Sequence, residues 1–271
     1  AKDFVIEIDG KSKNCRADNF ERIGIICVTG NSFSVTNNYA GNSVYIYEII
    51  PVGEALPEGY FRLTYKDDNG SVLYQTAVKE GEYPDYKGSV PKKEISGETG
   101  YLFDGWDGDC YSAVTKDTVL TAKYTECDVI HVTCEEELVN AFEYDRAIIS
   151  IENDIELKND WITPGIFRGY LAGNGHTISN INVAGSKSKT GYGFIGEIYE
   201  YSIAENLRLV YNQKNPAESV YSFSGFAGSV DRSELTNIGI EGKLKADNFG
   251  QVYGFAMLMT NSMASRCYAE E

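Results

Sequence analysis

Apolar and polar residues alternate over short stretches along most of the chain, a period typical of β-strands with one buried face. Three such stretches, rich in β-branched or aromatic residues, lie in the first 56 residues: FVIEI (4–8), IGIICV (23–28) and SVYIYEII (43–50). Each is followed by a turn or break marked by Gly, Asn or Pro. Residues 1–56 are therefore predicted to form a small β-rich region.

A hairpin and an aromatic motif mark a second region, residues 57–126. YFRLTYKDDNGSVLYQTAV places two alternating strands around Asn69 and Gly70, which supply the positive φ angles that a tight turn needs. The motif GYLFDGW (100–106) follows, and a strand ending in AKY (122–124) closes the region.

This ordered set of strands, hairpin and motif resembles the B repeat of internalin-type surface proteins. The resemblance implies a β-grasp-like module of the kind used as a spacer or contact surface in secreted or wall-attached bacterial proteins. Trp106 is expected to anchor its core, with Tyr101 and Phe103 beside it and Tyr124 closing the sheet. The two glycines of the motif are expected at turn or bulge positions.

The pattern changes character from residue 127 onward. TCEEELVNAF (133–142) combines Thr133 with Glu136 three residues later, a capping box, and continues into an apolar helical face of Leu138, Val139 and Phe142. The stretch predicts a helix, and the alternating residues after it predict a strand.

Three later segments overlay on one another: GFIGEIYEYSIAENLRL, GFAGSVDRSELTNIGI and GFAMLMTNSMASRCYA. Each has Gly-Phe, a short apolar strand, a polar bend and a second strand. A repeat of about 30 residues built from short strands predicts a solenoid, in which each copy buries its apolar face only against the next.

Two residue types recur at fixed places in these repeats. Phe194, Phe226 and Phe255 directly follow the starting glycines and are predicted to stack on one another. Asn206 and Asn237 are predicted at a bend, where an amide side chain can satisfy free backbone groups. Arg266 takes that place in the third copy.

The copies resemble the glycine-rich repeats known as GLUG motifs. FRGYLAGNGHTISNINV (167–183) resembles the segment that usually precedes them, with Ala172 where the family commonly has Asp. The resemblance implies that residues 127–271 form a right-handed parallel β-helix of a bacterial surface protein, with a helix capping its N-terminal end. The fold class expected for the whole chain is thus mainly β.

His176 is the candidate for chemistry in this stretch. Its near neighbours in sequence are Gly, Asn and Thr, whereas a general base wants a nucleophile or carboxylate partner. We expect a structural residue whose ring is hydrogen-bonded to a bend. His131, in the strand-like VIHVT, is likewise expected to be a strand residue.

Charge and composition restrict the classes of molecule that the chain is expected to bind. Forty acidic against 24 basic residues give a net charge of −16, which disfavours nucleic acid and charge-driven attachment to anionic lipid. No apolar run approaches the ~20 residues of a membrane helix. Six cysteines lack the short spacings of a zinc site, and the acidic turn DGWDGD (104–109) lacks the Glu of an EF-hand, so no metal site or cofactor is predicted.

No catalytic residue is predicted, because the repeat positions hold Gly, Phe, Ser and Asn rather than acids in register. The predicted function is adhesion or ligand display by a non-catalytic secreted or cell-surface protein, with a glycan or a surface protein as partner. Two alternatives remain: part of a carbohydrate-active β-helix enzyme, either a polysaccharide lyase or a glycoside hydrolase, or a purely structural stalk. The tyrosines predicted to stack on sugar rings are Tyr192, Tyr199, Tyr201, Tyr211 and Tyr221.

Overall fold

A computed structural model describes most of the 271-residue chain. The ranges are 2–8, 11–17 and 33–37, for which only the backbone is described, and 56–144, 146–188, 191–214, 222–244 and 251–270. The strands predicted at 23–28 and 43–50, and Tyr221, lie outside the described residues. Within them the chain is mainly β, with 22 strands and one helix, so the predicted class is confirmed.

The residues group into two compact units. Unit 1 comprises residues 1–88 and 105–123, and unit 2 comprises residues 89–104 and 124–271. Residues 89–104 thus group with the repeats, whereas the sequence motif placed them with the preceding module.

The described strands of unit 1 include antiparallel pairs and a parallel pair. β1 pairs antiparallel with β2 and with β3, β4 pairs antiparallel with β5, and β4 pairs in parallel with the start of β7. The strands are β1 (Lys2–Ile8), β2 (Lys11–Ala17), β3 (Phe33–Asn37), β4 (Tyr60–Lys66), β5 (Val72–Lys79), the end of β6 (Thr99–Asp107) and the start of β7 (Thr118–Val132).

The turn between β4 and β5 is the predicted Asn-Gly hairpin. The N–H of Asp67 donates to the carbonyl of Ser71 at 2.8 Å, and the N–H of Ser71 donates to Oδ1 of Asn69 at 2.8 Å. Gly70 has a φ of 87°, which glycine adopts without steric penalty. The hairpin prediction is confirmed, but the positive φ angle is supplied by Gly70 and not by Asn69.

Trp106 lies in an aromatic core of unit 1. Its ring centroid is 4.7 Å from those of both Tyr65 and Tyr86, and Tyr74 lies 5.8 Å from Tyr65. Trp106 is 9% exposed, as expected of a core anchor. Gly105, with a φ of 92°, has the unusual conformation expected of a turn or bulge position. The tyrosines around Trp106 were not indicated by the motif alone.

The helix of unit 2 is shorter than predicted and its cap is shifted by one residue. It begins after Cys134, and Oε2 of Glu137, rather than of Glu136, accepts the N–H and the hydroxyl of Thr133 at 2.7 Å each. Leu138 is fully buried, but Val139 is 45% exposed, because it follows Leu138 by about 100° around the helix axis. The prediction that Val139 belongs to the buried face is wrong.

After β7, the elements of unit 2 are α1 (Glu135–Ala141), β8 (Arg146–Ile151), β9 (Ile155–Glu156), β10 (Trp161–Thr163), β11 (Ile166–Ala172), β12 (Thr177–Ile181), β13 (Val183–Ser186), β14 (Ile195–Ile198), β15 (Ile203–Tyr211), β16 (Ser222–Ser224), β17 (Ala227–Asp231), β18 (Glu234–Glu241), β19 (Gln251–Tyr253), β20 (Ala256–Thr260), β21 (Met263–Ser265) and β22 (Tyr268–Glu270).

The predicted repeats pair in parallel with their own copies. β14 pairs with β17 and β17 with β20, so Ala227 lies between Ile195 and Ala256. β15 pairs with β18, which pairs with both β21 and β22. Leu235 and Ile238 of β18 point into the core and are fully buried. Equivalent residues of successive repeats therefore become neighbours across the ladders.

The phenylalanines form the expected stack. The ring centroids of Phe194 and Phe226 are 6.4 Å apart with planes at 22°, and those of Phe226 and Phe255 are 5.6 Å apart with planes at 21°. Trp161 extends the stack, 5.1 Å from Phe194 with planes at 9°. The prediction of an internal phenylalanine stack is confirmed, and we call these four rings the aromatic column.

The repeat asparagines lie at bends with left-handed backbone. Asn206 and Asn237 have φ angles of 56° and 54°, and Arg266 at the equivalent place has 53°. Asparagine tolerates this region better than most residues. Nδ2 of Asn237 donates to Oδ1 of Asn206 at 2.9 Å, so the amides bond from one copy to the next in addition to shaping the bend.

We predict that Phe226→Ala lowers the free energy of unfolding by about 3–5 kcal/mol, because a fully buried ring between two others is removed and leaves a cavity. Phe255→Ala is the matched control and is expected to lose less, since Phe255 is only partly buried. Urea denaturation followed by circular dichroism measures both, and equal losses would contradict the order of burial along the column.

Candidate functional site

The outer face of the repeat strands in unit 2 is covered by residues 89–104, which we call the covering segment. Ile148, Tyr170 and Ile203 point away from the main core, yet they are buried in a second cluster together with Leu102 of the covering segment. Without the covering segment this apolar outer face would be exposed to water. The segment therefore buries the face and forms a second hydrophobic core with it.

Glu205 ties the covering segment to this face. Nζ of Lys92 donates to its two carboxylate oxygens at 2.9 and 2.8 Å, and the hydroxyl of Tyr170 donates at 2.5 Å. Burial alone raises the pKa of the Glu205 carboxyl, but the hydrogen bonds from Lys92 and Tyr170 outweigh burial and hold that pKa below its ordinary value. A second bond joins the N–H of Val90 to Oε2 of Glu234 at 2.9 Å.

Beside this tie, aromatic rings and cations follow one another in a continuous row. Nζ of Lys93 lies 4.7 Å from the ring centroid of Tyr101 and 4.4 Å from that of Tyr124. Phe103 lies 6.1 Å from Tyr124 and 5.1 Å from Tyr201, edge to face in both pairs. We call this set the aromatic row: Lys93, Tyr101, Phe103, Tyr124, Tyr201 and Arg232, whose guanidinium carbon lies 5.9 Å from the Tyr201 ring centroid.

Backbone conformation places Tyr201 in the row. Glu200 and Tyr201 have φ angles of 60° and 63°, two consecutive left-handed residues at the bend between β14 and β15. Such a conformation is strained for a residue with a bulky side chain. The surrounding contacts, including the edge of Phe103 at an interplanar angle of 90°, hold the ring in place.

Charged pairs flank the row. Nη1 of Arg146 donates to Oδ1 of Asp104 at 2.7 Å, and its Nη2 donates to the carbonyl of Phe103 at 3.0 Å. Nε of Arg168 lies 3.2 Å from Oε2 of Glu200. A cleft between these groups has a volume of only about 10 Å³, enough for one water molecule. A larger ligand must therefore lie on the surface of the row.

The tyrosines predicted to stack on sugars lie in different environments. Tyr201 belongs to the aromatic row and is partly exposed, and Tyr192 is partly buried against the main core. The hydroxyl of Tyr199, also partly buried, is 3.3 Å from Oγ of Ser229.

Tyr211 contradicts the prediction that all of these tyrosines can stack on sugar rings. It is 4% exposed, and its hydroxyl donates to the carbonyl of Gly225 at 2.6 Å. Burial raises the pKa of this hydroxyl. Because Tyr211 shares the inward side of β15 with Leu207 and Leu209, it cannot stack on a sugar, and its assignment to an exposed row is wrong.

Sequence reasoning missed Lys93 as a member of the row and assigned Tyr101, Phe103 and Tyr124 only to the core of the preceding module. Their proximity to Tyr201 depends on the packing of the covering segment on the repeats. No periodicity links residues that are about 100 positions apart, so the chain offers no signal of this kind.

His176 has a carboxylate partner that its sequence neighbours did not suggest. Its Nδ1 is 3.1 Å from Oδ1 of Asp154, and the N–H of Thr177 donates to the same oxygen at 2.9 Å. The N–H of Thr177 first, and then His176, hold the pKa of Asp154 below its ordinary value. The ring is thus bonded to the bend between β8 and β9, as expected, and its partner there is the side chain of Asp154.

His131 forms a similar pair. Its Nδ1 is 2.7 Å from Oε1 of Glu152, and its Nε2 is 3.8 Å from Oε2 of Glu98. The bond with Glu152 raises the pKa of His131, and the same bond lowers the pKa of Glu152.

The carboxyl groups whose pKa is shifted favour their ionised form. A general acid for glycosidic bond cleavage needs a carboxyl whose pKa is raised. Among the described residues, hydrogen bonding lowers every shifted carboxyl pKa, and it outweighs burial where burial opposes it. These carboxyls are Asp109, Glu137, Glu152, Asp154, Glu205, Asp231 and Glu241.

No group of three or more His, Cys, Asp or Glu side chains in the described ranges is arranged to hold a metal ion. In the same ranges no helix has the length and apolar character needed to cross a membrane.

Comparisons with protein-family models, with curated proteins and with solved structures give no match for this chain. The resemblances to the B repeat and to GLUG motifs therefore stay predictions, and the candidate site is defined by geometry alone.

The paired shifts of His131 and Glu152 predict a stability contribution that depends on pH. Because the pKa of His131 is raised on folding, protonated His131 stabilises the folded protein fully below the ordinary pKa of 6.5. This stabilisation is lost as the pH rises through the pKa that His131 has in the folded protein. Because the pKa of Glu152 is lowered on folding, ionised Glu152 stabilises the folded protein fully above the ordinary pKa of 4.5. This stabilisation is lost as the pH falls through the pKa that Glu152 has in the folded protein. The pair therefore contributes most between these two values.

His131→Ala is accordingly expected to lower the melting temperature most between pH 4.5 and 6.5 and hardly at all near pH ~9. Thermal unfolding across this range measures the difference from the unsubstituted protein. In a Glu152→Gln background the pH dependence of the difference should largely disappear, and its persistence would show that another group is responsible.

Proposed function

We propose that this chain is a non-catalytic ligand-binding part of a secreted or surface-attached bacterial protein. In this proposal residues 127–271 form a right-handed parallel β-helix of GLUG-type repeats capped by α1, and residues 57–126 form a B-repeat module. The parallel pairing of successive repeats, the aromatic column and the asparagine bonds from copy to copy support the solenoid.

The observation on which the ligand proposal rests is the aromatic row. Sugar rings present apolar C–H faces that pack on aromatic side chains, while their hydroxyls need polar partners nearby. Tyr101, Tyr124 and Tyr201 are each partly exposed, and buried Phe103 lies between the last two. A row of this kind suits an extended glycan lying along the surface.

The flanking charges favour a neutral glycan. Arg146 pairs with Asp104, Arg168 with Glu200, and Arg232 with Asp231, so each cation has a carboxylate beside it. Such pairs offer both donors and acceptors to vicinal hydroxyl groups. An acidic polysaccharide would also have to approach a chain of net charge −16, which is unfavourable.

The enzyme alternative has less support. Carbohydrate-active sites on parallel β-helices need carboxyls or bases poised for proton transfer. His131 and His176 are each paired with an acid, and the hydrogen bonds to the shifted carboxyls favour their ionised form. A structural stalk, the other alternative, would have no use for a partly exposed aromatic row flanked by ion pairs.

The test begins with a glycan array probed with the intact chain, followed by calorimetry on the best neutral oligosaccharide. Tyr201→Asn removes the ring and keeps a side chain that tolerates positive φ. We expect this substitution to weaken binding about tenfold, the loss of one stacking contact. Tyr201→Phe should retain most of the affinity because the ring remains.

Tyr111→Asn is the control, since Tyr111 is 90% exposed and lies outside the row. Absence of any bound glycan, or equal affinity in Tyr201→Asn and in the unsubstituted protein, would contradict the proposal. Product analysis of the bound oligosaccharide separates the alternatives, because cleavage would identify an enzyme.

A further inference from the structure

A second concave surface of unit 2 lies between α1 and β10. The groove has a volume of about 500 Å³, within the range of ligand-binding clefts. Its apolar part includes Val139 and Ile162, which are 45% and 48% exposed, and the partly buried ring of Phe142. We call this surface the helix groove.

The rim of the helix groove is acidic. Four carboxylates, those of Glu135, Glu136, Glu143 and Asp160, face one ammonium group, that of Lys187. Lys187 is paired with Glu143. The groove therefore has a negative potential, in keeping with the net charge of −16 of the whole chain.

These carboxylates differ in how far they are already engaged. Glu135 accepts the N–H groups of Lys158 and Asn159 at 2.9 and 3.0 Å, and Asp160 accepts Nδ2 of Asn182 at 2.6 Å. The side chain of Glu136 has no hydrogen bond or ion pair with any residue that the structure describes. Its carboxylate is thus available to an incoming cation.

The helix groove also borders a strand edge. Among the described strands, β10 pairs only with β13. The N–H of Trp161 donates to the carbonyl of Asn182, and the carbonyl of Thr163 accepts from the N–H of Lys187, both toward β13. Backbone groups alternate in direction along a strand, so those of Ile162 point to the opposite edge. An unpaired edge of this kind can accept a further strand.

We infer that the helix groove binds an extended peptide in which basic and apolar residues alternate. The peptide adds a strand to the free edge of β10, its apolar side chains contact Val139 and Ile162, and its basic side chains pair with the acidic rim, Glu136 first. Main-chain bonds supply affinity in this mode of recognition, and side chains on alternate positions supply specificity.

Other occupants fit the helix groove less well. A second copy of this chain would carry the same strong negative charge toward an acidic rim. A glycan would need an exposed aromatic face, but Trp161 is only 3% exposed and the most exposed apolar groups are aliphatic. A basic, partly apolar peptide matches both the charge and the shape.

The experiment measures fluorescence anisotropy of a labelled short peptide that alternates lysine and valine, titrated with the intact chain at low salt. Glu136→Lys reverses the available charge and is expected to weaken binding about fivefold, the upper end of what one exposed ion pair contributes. Val139→Asp should weaken binding at least as much, because it places a charge on the apolar part of the groove.

Matched controls carry the same substitutions elsewhere on the surface. Glu270→Lys and Val119→Asp change an exposed glutamate and a valine that is 53% exposed, neither of which lines the groove, and both should bind as the unsubstituted protein does. Melting temperatures of all four variants check that each is folded.

Peptide variants test the mode of binding. A peptide alternating glutamate and valine, and one with N-methylated backbone amides, should both bind much more weakly than the probe. The inference is overturned if the lysine–valine peptide fails to bind, if the glutamate–valine or N-methylated peptide binds as tightly, or if Glu136→Lys and Val139→Asp bind like their controls. Displacement of the probe by a neutral oligosaccharide would also overturn it.

Discussion

The aromatic column is the interaction on which unit 2 depends most directly. A ring at one place in each repeat can be buried only when the neighbouring copies supply the rings above and below it. Phe226 has both neighbours and is fully buried, whereas Phe255, with only Phe226 as a stacking partner among the described residues, is partly exposed. Stability in such an array is shared between adjacent copies rather than held within any one of them.

The asparagine bonds follow from the same stacking. Left-handed bends at Asn206 and Asn237 come into line because the strands on either side pair in parallel, residue for residue. Once aligned, the amide of Asn237 donates to the amide of Asn206 in the previous copy. The bend and the column therefore depend on one register, and a shift of one residue would disrupt both.

Covering the outer face creates the conditions for a binding surface. Strands β8 and β15 carry apolar residues on both of their faces. The covering segment buries the outer ones, which include Ile148 and Ile203. Glu205, held by Lys92 and Tyr170, anchors the segment with a charge-assisted contact. The segment thereby brings Tyr101 and Phe103 into the aromatic row next to Tyr124 and Tyr201. The candidate site thus results from the covering of an apolar face.

The helix groove lies where the exposed side of α1 meets the edge of β10. The helix α1 buries Leu138 and Ala141 and leaves Val139 exposed, so one side of a short helix borders an aliphatic surface. The neighbouring strand β10 has one partner among the described strands. Exposed aliphatic groups next to a free strand edge invite association, and the acidic rim restricts which partners can approach.

Local and periodic features are what the sequence by itself determined. The Asn-Gly hairpin and the helix near residue 135 follow from the chemistry of neighbouring residues. The repeat period, a fixed spacing along the chain, predicts the three copies and the stacking of Phe194, Phe226 and Phe255. The one-residue shift of the helix cap shows the limit of that reasoning, because Glu136 and Glu137 are equivalent in composition and only the backbone path selects between them.

The tertiary structure alone decided which side chains meet across long separations. Alternation could not show that Tyr211 turns inward while Tyr201, at a strained bend, stays partly exposed. Nor could it pair His176 with Asp154, or place Phe103 against Tyr201, because these contacts depend on how strands stack and on which segment covers them. Whether a side chain is buried, and which residues it contacts, depends on how the whole chain packs. The order of apolar and polar residues shows only which side chains tend to be buried.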